Sequence, residues 1–309
     1  MEHVLAVRGL YKSYPVRWRR ARREALRGLN LEVPRGSIFG LLGPNGAGKT
    51  TTLKIIMGLA RPDAGSFTVL GEEGTSPRAR ARMGFLPEQP YFELYLTPRR
   101  LLSYYGRLAG MDAARIRERC SHLMNLVGLA DAADLPLEKF SKGMLQRVGL
   151  AQAMLAEPEF LVLDEPSTGL DPLGKVQVRE ILAGLREGGT TILLSSHQLS
   201  EIEEICDRVA VVAAGKNVAS GSLDELLRSG DELEIRLRRA VGEETPALPP
   251  SATWNADRTG LFVRRGELNP ALHTLIAAGL EVEEVRPRRM TLEEFFVSRV
   301  GGAGEGGWR

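Results

Sequence analysis

Eight consecutive residues, Gly43-Pro44-Asn45-Gly46-Ala47-Gly48-Lys49-Thr50, fit the phosphate-loop pattern G-x-x-x-x-G-K-[ST] at every fixed position. Glycines at this spacing let successive backbone N–H groups turn inward as an anion nest, at the positive end of the helix that follows. Lys49 adds a mobile point charge for outer phosphates, and the Thr50 hydroxyl is a hard oxygen ligand of the kind magnesium prefers. Farther along, Asp164-Glu165 closes one apolar run and His197 lies just past the end of another. An acidic pair in that position fits metal-assisted phosphoryl transfer, with Asp164 orienting magnesium and Glu165 polarising an attacking water. Adjacent carboxylates repel, so a cation facing Asp164 is what keeps it ionised. His197 is either a donor to a γ-phosphate or an ordinary structural histidine.

The flanking sequence supplies elements that would hold these groups. Ser37 to Leu42 reads as a buried strand before the loop, and Leu53, Ile56, Met57 and Ala60 fall at helical spacing after it. Met83 to Pro87 reads as a short strand running into Glu88-Gln89. Phe160 to Glu165 and Thr191 to Ser196 are apolar strands, separated by the turn Pro166 to Asp171 and a helix. Between them lies helical patterning. Ile116, Cys120, Leu123 and Val127 share one face with Gly128 as the stop, and Ser141 occupies an N-cap position ahead of a helix that ends before Pro158. In open α/β sheets, ligands bind at the carboxyl ends of such strands.

Composition narrows little. A chain of 309 residues predicts a main domain and a smaller one, and a net charge of +2 gives no global attraction to nucleic acid or membrane. Cys120 and Cys206 lack C-x-x-C spacing, so both are expected as reduced thiols of a cytosolic protein. No apolar run reaches membrane-span length and Met1-Glu2-His3-Val4 has no signal-peptide core, so the expectation is a soluble chain.

In order, the motifs resemble the nucleotide-binding domain of ATP-binding-cassette (ABC) transporters over roughly the first 220 positions. Gly43 to Thr50 looks like Walker A, Gln89 like the Q-loop glutamine, and Phe140-Ser141-Lys142-Gly143-Met144-Leu145-Gln146-Arg147 like the family signature. Phe160 to Glu165 resembles Walker B, Ser167 to Asp171 the D-loop, and His197 the switch histidine. The resemblance implies an α/β fold: a P-loop NTPase sheet core with an inserted helical subdomain, plus a small C-terminal α+β accessory domain. It implies an ATPase using ATP and Mg2+. Gly43, Pro44, Asn45, Gly46, Ala47, Gly48, Lys49, Thr50 and Thr51 would bind nucleotide. Ser141 and Gly143 would do so from a second copy of the chain. Glu165, His197 and Gln89 would be catalytic, and Thr50, Gln89 and Asp164 would face the metal. Tyr14 is similar to the aromatic residue that stacks on adenine, or is an ordinary strand aromatic.

Two departures stand out. Where the family commonly has Leu-Ser-Gly-Gly-Gln, this chain has Phe140-Ser141-Lys142-Gly143-Met144. Met144 cannot hydrogen-bond as glutamine would, and Lys142 either adds charge near phosphate or is solvated. The run Arg17-Trp18-Arg19-Arg20-Ala21-Arg22-Arg23 lengthens the connection after Tyr14, as a solvated hairpin tip or as a contact for anionic lipid or a phosphate-bearing partner.

The expected division is an ATPase domain over 1–225, with its helical subdomain at about 90–157, and an accessory domain over 226–309 ending in a Gly-rich disordered tail, Gly301 to Arg309. Within the accessory domain, Leu233 to Arg238 alternates like a half-exposed strand and Pro246 to Pro250 reads as a loop; Leu261 to Val263, a helix face from Leu272 to Ala278 and Leu280 to Val285 suggest a small α+β module, and Thr291 to Phe296 starts a final helix. The module resembles that of drug- and polysaccharide-type exporters and would dimerise, regulate or cover the core. The resemblance thus implies the ATP-hydrolysing subunit of an exporter, held at the inner face of the membrane by a separate permease, with no nucleic acid partner. Tyr91 to Tyr95 is either the groove for a permease coupling helix or packing within the helical subdomain. The alternative is a non-transport ABC ATPase of DNA repair or ribosomes. Against it stand the absence of a long coiled-coil insertion and of a second cassette.

Overall fold

The computed structural model describes residues 2–15, 22–74, 76–239, 241, 246–255 and 257–300. The tail from Gly301 and most of the arginine run, residues 17–21, lie outside the described residues. The chain forms two compact units, Met1–Leu223 and Asp224–Arg309.

The first unit opens with a hairpin, its two strands flanking the arginine run that the sequence offered as a hairpin tip. Strands β1 (His3–Pro15) and β2 (Arg22–Pro34) pair antiparallel, with Tyr14 opposite Arg23. β2 starts at Arg22, so the last two residues of the arginine run are strand rather than loop. Strand β3 (Ile38–Leu42) is buried along its whole length and runs through the phosphate loop into helix α1 (Lys49–Ile56). α1 ends sooner than its spacing suggested. Gly58 adopts φ 72, and the N–H groups of Leu59 and Ala60 both fold back onto Lys54 O, which closes the helix before Ala60. Strands β4 (Ala64–Val69) and β5 (Glu72–Glu73) complete a four-stranded antiparallel sheet ordered β2-β1-β4-β5.

After the short helix α2 (Pro77–Arg80) and strand β6 (Met83–Leu86) come three helices, the second and third of which are those expected around Ile116 to Val127 and after Ser141. Helix α3 (Pro98–Leu108) is capped by Thr97, α4 (Ala113–Leu126) by Asp112, and α5 (Lys142–Ala153) by Ser141, whose side chain accepts from Met144 N at 3.2 Å. Leu101, Leu102, Ile116, Cys120, Leu123 and Val148 are buried among them.

Strand β7 (Phe160–Asp164), helix α6 (Pro172–Glu187), strand β8 (Thr191–Ser196), helix α7 (Leu199–Ile205) and strands β9 (Arg208–Ala213) and β10 (Lys216–Ser222) finish the unit. They join β3 and β6 in a six-stranded sheet ordered β10-β9-β3-β8-β7-β6, parallel except for β10. Both faces of β3, β7 and β8 are covered, which explains their unbroken apolar runs. One core unites β1 and β2 residues such as Leu5, Leu10 and Leu29 with Leu53 and Ile56 of α1 and with Phe39, Val162 and Leu193 of the parallel sheet. That core fixes α1, and with it Lys49 and Thr50, against the sheet.

Helix α8 (Leu223–Leu227) starts on the last residue of the first unit, and the second unit continues with strands β11 (Arg228–Leu237), β12 (Thr253–Trp254) and β13 (Gly260–Arg264), helix α9 (Leu268–Ala277), strand β14 (Val282–Arg289) and helix α10 (Leu292–Val300). Its antiparallel sheet is ordered β12-β13-β11-β14. Alternate residues Leu233, Ile235 and Leu237 pack with Leu261, Val263, Ala271 and Leu275 as a separate core. α9 starts four positions before its expected face because Pro270 lies in its first turn, where no N–H partner is lost.

Candidate active site

The sequence-predicted residues converge where β3, β7 and β8 end. A cavity of about 470 Å3 is lined by Tyr14, Arg23, Ala25, residues 44–51, Glu88, Glu165 and His197. The loop can take this path only with glycine at its ends. A Cβ on Gly43 would meet Val212 O at 2.2 Å, and Gly48 combines φ 113 with a site where a Cβ would lie 2.7 Å from Ala25 O. Gly48 immediately precedes α1, so the first, unpaired N–H groups of that helix open onto the loop.

Lys49 is buried, and its Nζ donates to Gly43 O at 2.5 Å. Burial lowers its pKa, against the opposing pull of Glu165, Asp164 and Glu88. Thr50 Oγ1 lies 3.5 Å from Asp164 Oδ1, and that same oxygen accepts from Ser195 Oγ at 2.5 Å. Ser195, at the end of β8, was not singled out in the sequence, although its place two residues before His197 was the available signal.

Glu165 follows β7 with a left-handed φ of 54, rare for a residue with a side chain. Its N–H donates to Ser195 O at 3.1 Å, while Gln146 of α5 donates to Glu165 O at 3.2 Å and to Pro166 O at 3.3 Å. The strained turn is thus held from two sides and aims the carboxylate into the cavity. Glu165 Oε2 and His197 Nδ1 are 2.8 Å apart, which joins two residues that the sequence treated separately. Burial raises the pKa of Glu165, and the His197 hydrogen bond opposes that rise.

Five predicted residues are not part of the cavity lining: Gly43 starts the loop and Asp164 lies behind Thr50, whereas Gln89, Ser141 and Gly143 stand apart. Gln89 is exposed and its Oε1 accepts from Tyr91 Oη at 3.1 Å, while its neighbour Glu88 lines the cavity. Ser141 is exposed at the N-terminus of α5, and Gly143 sits where a Cβ would come within 2.8 Å of Gly169 O. Gln146, Glu88 and Arg23 are site residues that the sequence reading did not pick out individually.

The sequence matches the family profile described as ABC transporter over residues 26–168. It is 39% identical to the daunorubicin resistance ATP-binding protein DrrA3 of Streptomyces coeruleorubidus, over 90% of this chain and 92% of that protein. The chain belongs to the ABC transporter ATP-binding proteins. A second ABC transporter relative, the Nod factor export ATP-binding protein I of Ralstonia nicotianae, is 38% identical over 88% of this chain and 84% of its own length. The fold is that of an ABC cassette. The dimeric cassette MJ0796, solved in a post-hydrolysis state with ADP and Pi, superposes with a TM-score of 0.66 at 22% identity, covering 71% of this chain and 98% of that one. As an ABC ATPase, the chain binds and hydrolyses ATP. Among the described residues, no helix is long and apolar enough to cross a membrane.

The strand carrying Tyr14 in this ABC cassette is pinned by Asp63. Its carboxylate accepts from Ser13 N and Ser13 Oγ, each at 2.8 Å, and from Lys12 Nζ at 3.0 Å. These bonds, those from Ser13 and Lys12 foremost, hold Asp63 down from 3.8 to about 2. A depressed carboxylate stabilises the fold fully above its ordinary pKa and loses that contribution as pH falls towards the folded value. Asp63→Asn is therefore expected to melt below the parent protein at neutral pH. Thermal melts at descending pH should show that difference shrinking between 3.8 and about 2.

Proposed function

We propose that this chain is the ATP-hydrolysing subunit of an exporter, closing as a dimer on ATP and driving a separate membrane permease. One observation carries the reading. The phosphate loop, Asp164, Glu165 and His197 form half a site, while Ser141 and Gly143 stand at a helix N-terminus outside that cavity. A second copy presenting α5 would complete the site, and the arrangement is isologous. The names of the two relatives, a drug resistance protein and an export protein, support the direction.

In this reading Tyr14 stacks on adenine, residues 43–51 hold the phosphates, and Ser141 and Gly143 of the partner cover them. Thr50 and Asp164 fit magnesium: their oxygens are hard donors 3.5 Å apart. Groups of three or more His, Cys, Asp or Glu that could hold a metal are absent among the described residues, in keeping with an ion held mainly by phosphates and water. Gln89 would approach it on closure. The ion neutralises charge on the phosphate oxygens when bound. Glu165 takes the proton from the attacking water, and His197 orients that carboxylate and faces the γ-phosphate. The residues after about 225 form the accessory domain.

For the permease, the surface beside Gln89 offers Tyr91 and Tyr95, 85% and 70% exposed, and a groove of about 850 Å3 lined by Met57, Phe85, Pro87, Tyr105 and Leu108. We place the coupling helix there, which sets the protein at the inner face of the membrane. Co-expression with a candidate multi-span permease should yield a detergent-stable complex whose ATPase rate exceeds that of the isolated chain. Copurification with ribosomes or DNA, and no membrane complex, would overturn the proposal.

A further inference from the structure

We propose that Arg23 is a nucleotide-phosphate contact, reading phosphates shared by ADP and ATP. The proposal rests on the ATP site described above. β1 and β2 place Arg23 directly across from Tyr14, and both side chains line the cavity with the phosphate loop. The guanidinium lies over the crest of that loop, since a Cβ built on Gly46 would come 2.6 Å from Arg23 Nη2. Arg23 thus stands between the expected adenine platform and the loop, while Glu165 and His197 stand beyond the ends of β7 and β8.

Its neighbours are occupied, whereas among the described residues Arg23 has no carboxylate partner. Arg22 donates to Ser13 Oγ at 2.8 Å and lies 3.7 Å from Asp63, and Arg27 pairs with Glu24 at 3.0 Å. Among the described residues, Arg23 forms no ion pair or hydrogen bond with any carboxylate, although Glu88 and Glu165 line the same cavity. Arg23 is exposed, and because Lys49 and the N-terminus of α1 line the same cavity, a phosphate bound there would give its guanidinium an anionic partner. A guanidinium also presents planar paired donors that match phosphate oxygens, which an ammonium does not. This assigns one arginine of the basic run to the nucleotide rather than to a lipid surface.

The test is calorimetry of ADP and of a non-hydrolysable ATP analogue with magnesium, on the parent chain, Arg23→Ala and Arg23→Lys. Loss of one charge-assisted contact should weaken both ligands about tenfold in Arg23→Ala and less in Arg23→Lys, with the ratio between ligands unchanged. The salt dependence of binding should flatten in Arg23→Ala. Affinities within about twofold of the parent for both variants, or a loss confined to the ATP analogue, would overturn the assignment. If Arg23→Ala does not fold, the lysine variant decides alone: parent-like affinity sinks the proposal, and a matched fall for both ligands supports it. A parent chain that binds neither ligand would instead sink the ATP site itself. Loss of anionic-vesicle binding with parent-like nucleotide affinity would give Arg23 to a membrane and also overturn the proposal.

Discussion

Glu165→Gln is expected to cut steady-state ATP hydrolysis by about a hundredfold or more, the usual cost of losing a general base. Dimerisation on ATP should persist. The substitution keeps the shape and removes only the capacity to accept a proton. Its oxygen or amide can still meet His197 Nδ1, which lies 2.8 Å from the native carboxylate, so the local geometry survives. The size of the effect follows from the environment of Glu165, whose side chain is only 12% exposed and whose pKa burial drives upward. A carboxylate raised above its ordinary 4.5 is a stronger base once ionised. Protonated Glu165 cannot take the proton from water, so the native rate should rise with pH through this raised pKa, and that limb should vanish in Glu165→Gln. Phosphate-release assays across pH read both effects, and size-exclusion chromatography with ATP reads the dimer. Near-normal turnover would remove Glu165 from the proposed chemistry.

What could be read directly from the sequence was local. The phosphate loop, Phe160 to Asp164 and Thr191 to Ser196 announce themselves because a strand covered on both faces needs an unbroken apolar run and ends at the ligand. Helix caps at Ser141 and the stop at Gly128 were equally plain, being set within a few residues. What was hidden depends on pairing across distance. Arg22 and Arg23 read as loop because charge dominates their run, yet the register with Ser13 and Tyr14 makes them strand. The link from Glu165 to His197 spans 32 positions and that from Asp63 to Ser13 spans 50, so no local spacing encodes either. The roles that need a second copy are a further step removed. Ser141 and Gly143 follow a known pattern in sequence, but in one chain they do not line the cavity they are proposed to complete.

The second large effect is expected at Lys49. Lys49→Ala should weaken ATP binding by roughly tenfold to a hundredfold, the range for losing a hydrogen bond to a charged group. Lys49 is only 7% exposed, and its ammonium is tethered to Gly43 O at 2.5 Å and to Pro44 O at 3.4 Å, so it is already positioned inside the loop. Little ordering remains to be done when phosphate arrives, and most of the interaction appears as affinity. The effect on the fold without nucleotide should be much smaller because two contributions oppose each other. Truncation frees a charge whose burial is unfavourable enough to lower its pKa, and it strips the loop carbonyls of their donor. The melting temperature without nucleotide should therefore stay close to that of the parent. Stabilisation by a ligand grows as the logarithm of its concentration over Kd, so the upward shift that ATP gives the parent should shrink in Lys49→Ala. Calorimetry and thermal melts on the same samples separate the two readings. A lowered melting temperature with unchanged ATP affinity would make Lys49 a structural tie of the loop, whereas a parent-like melting temperature with weakened ATP binding identifies its ammonium as the phosphate ligand.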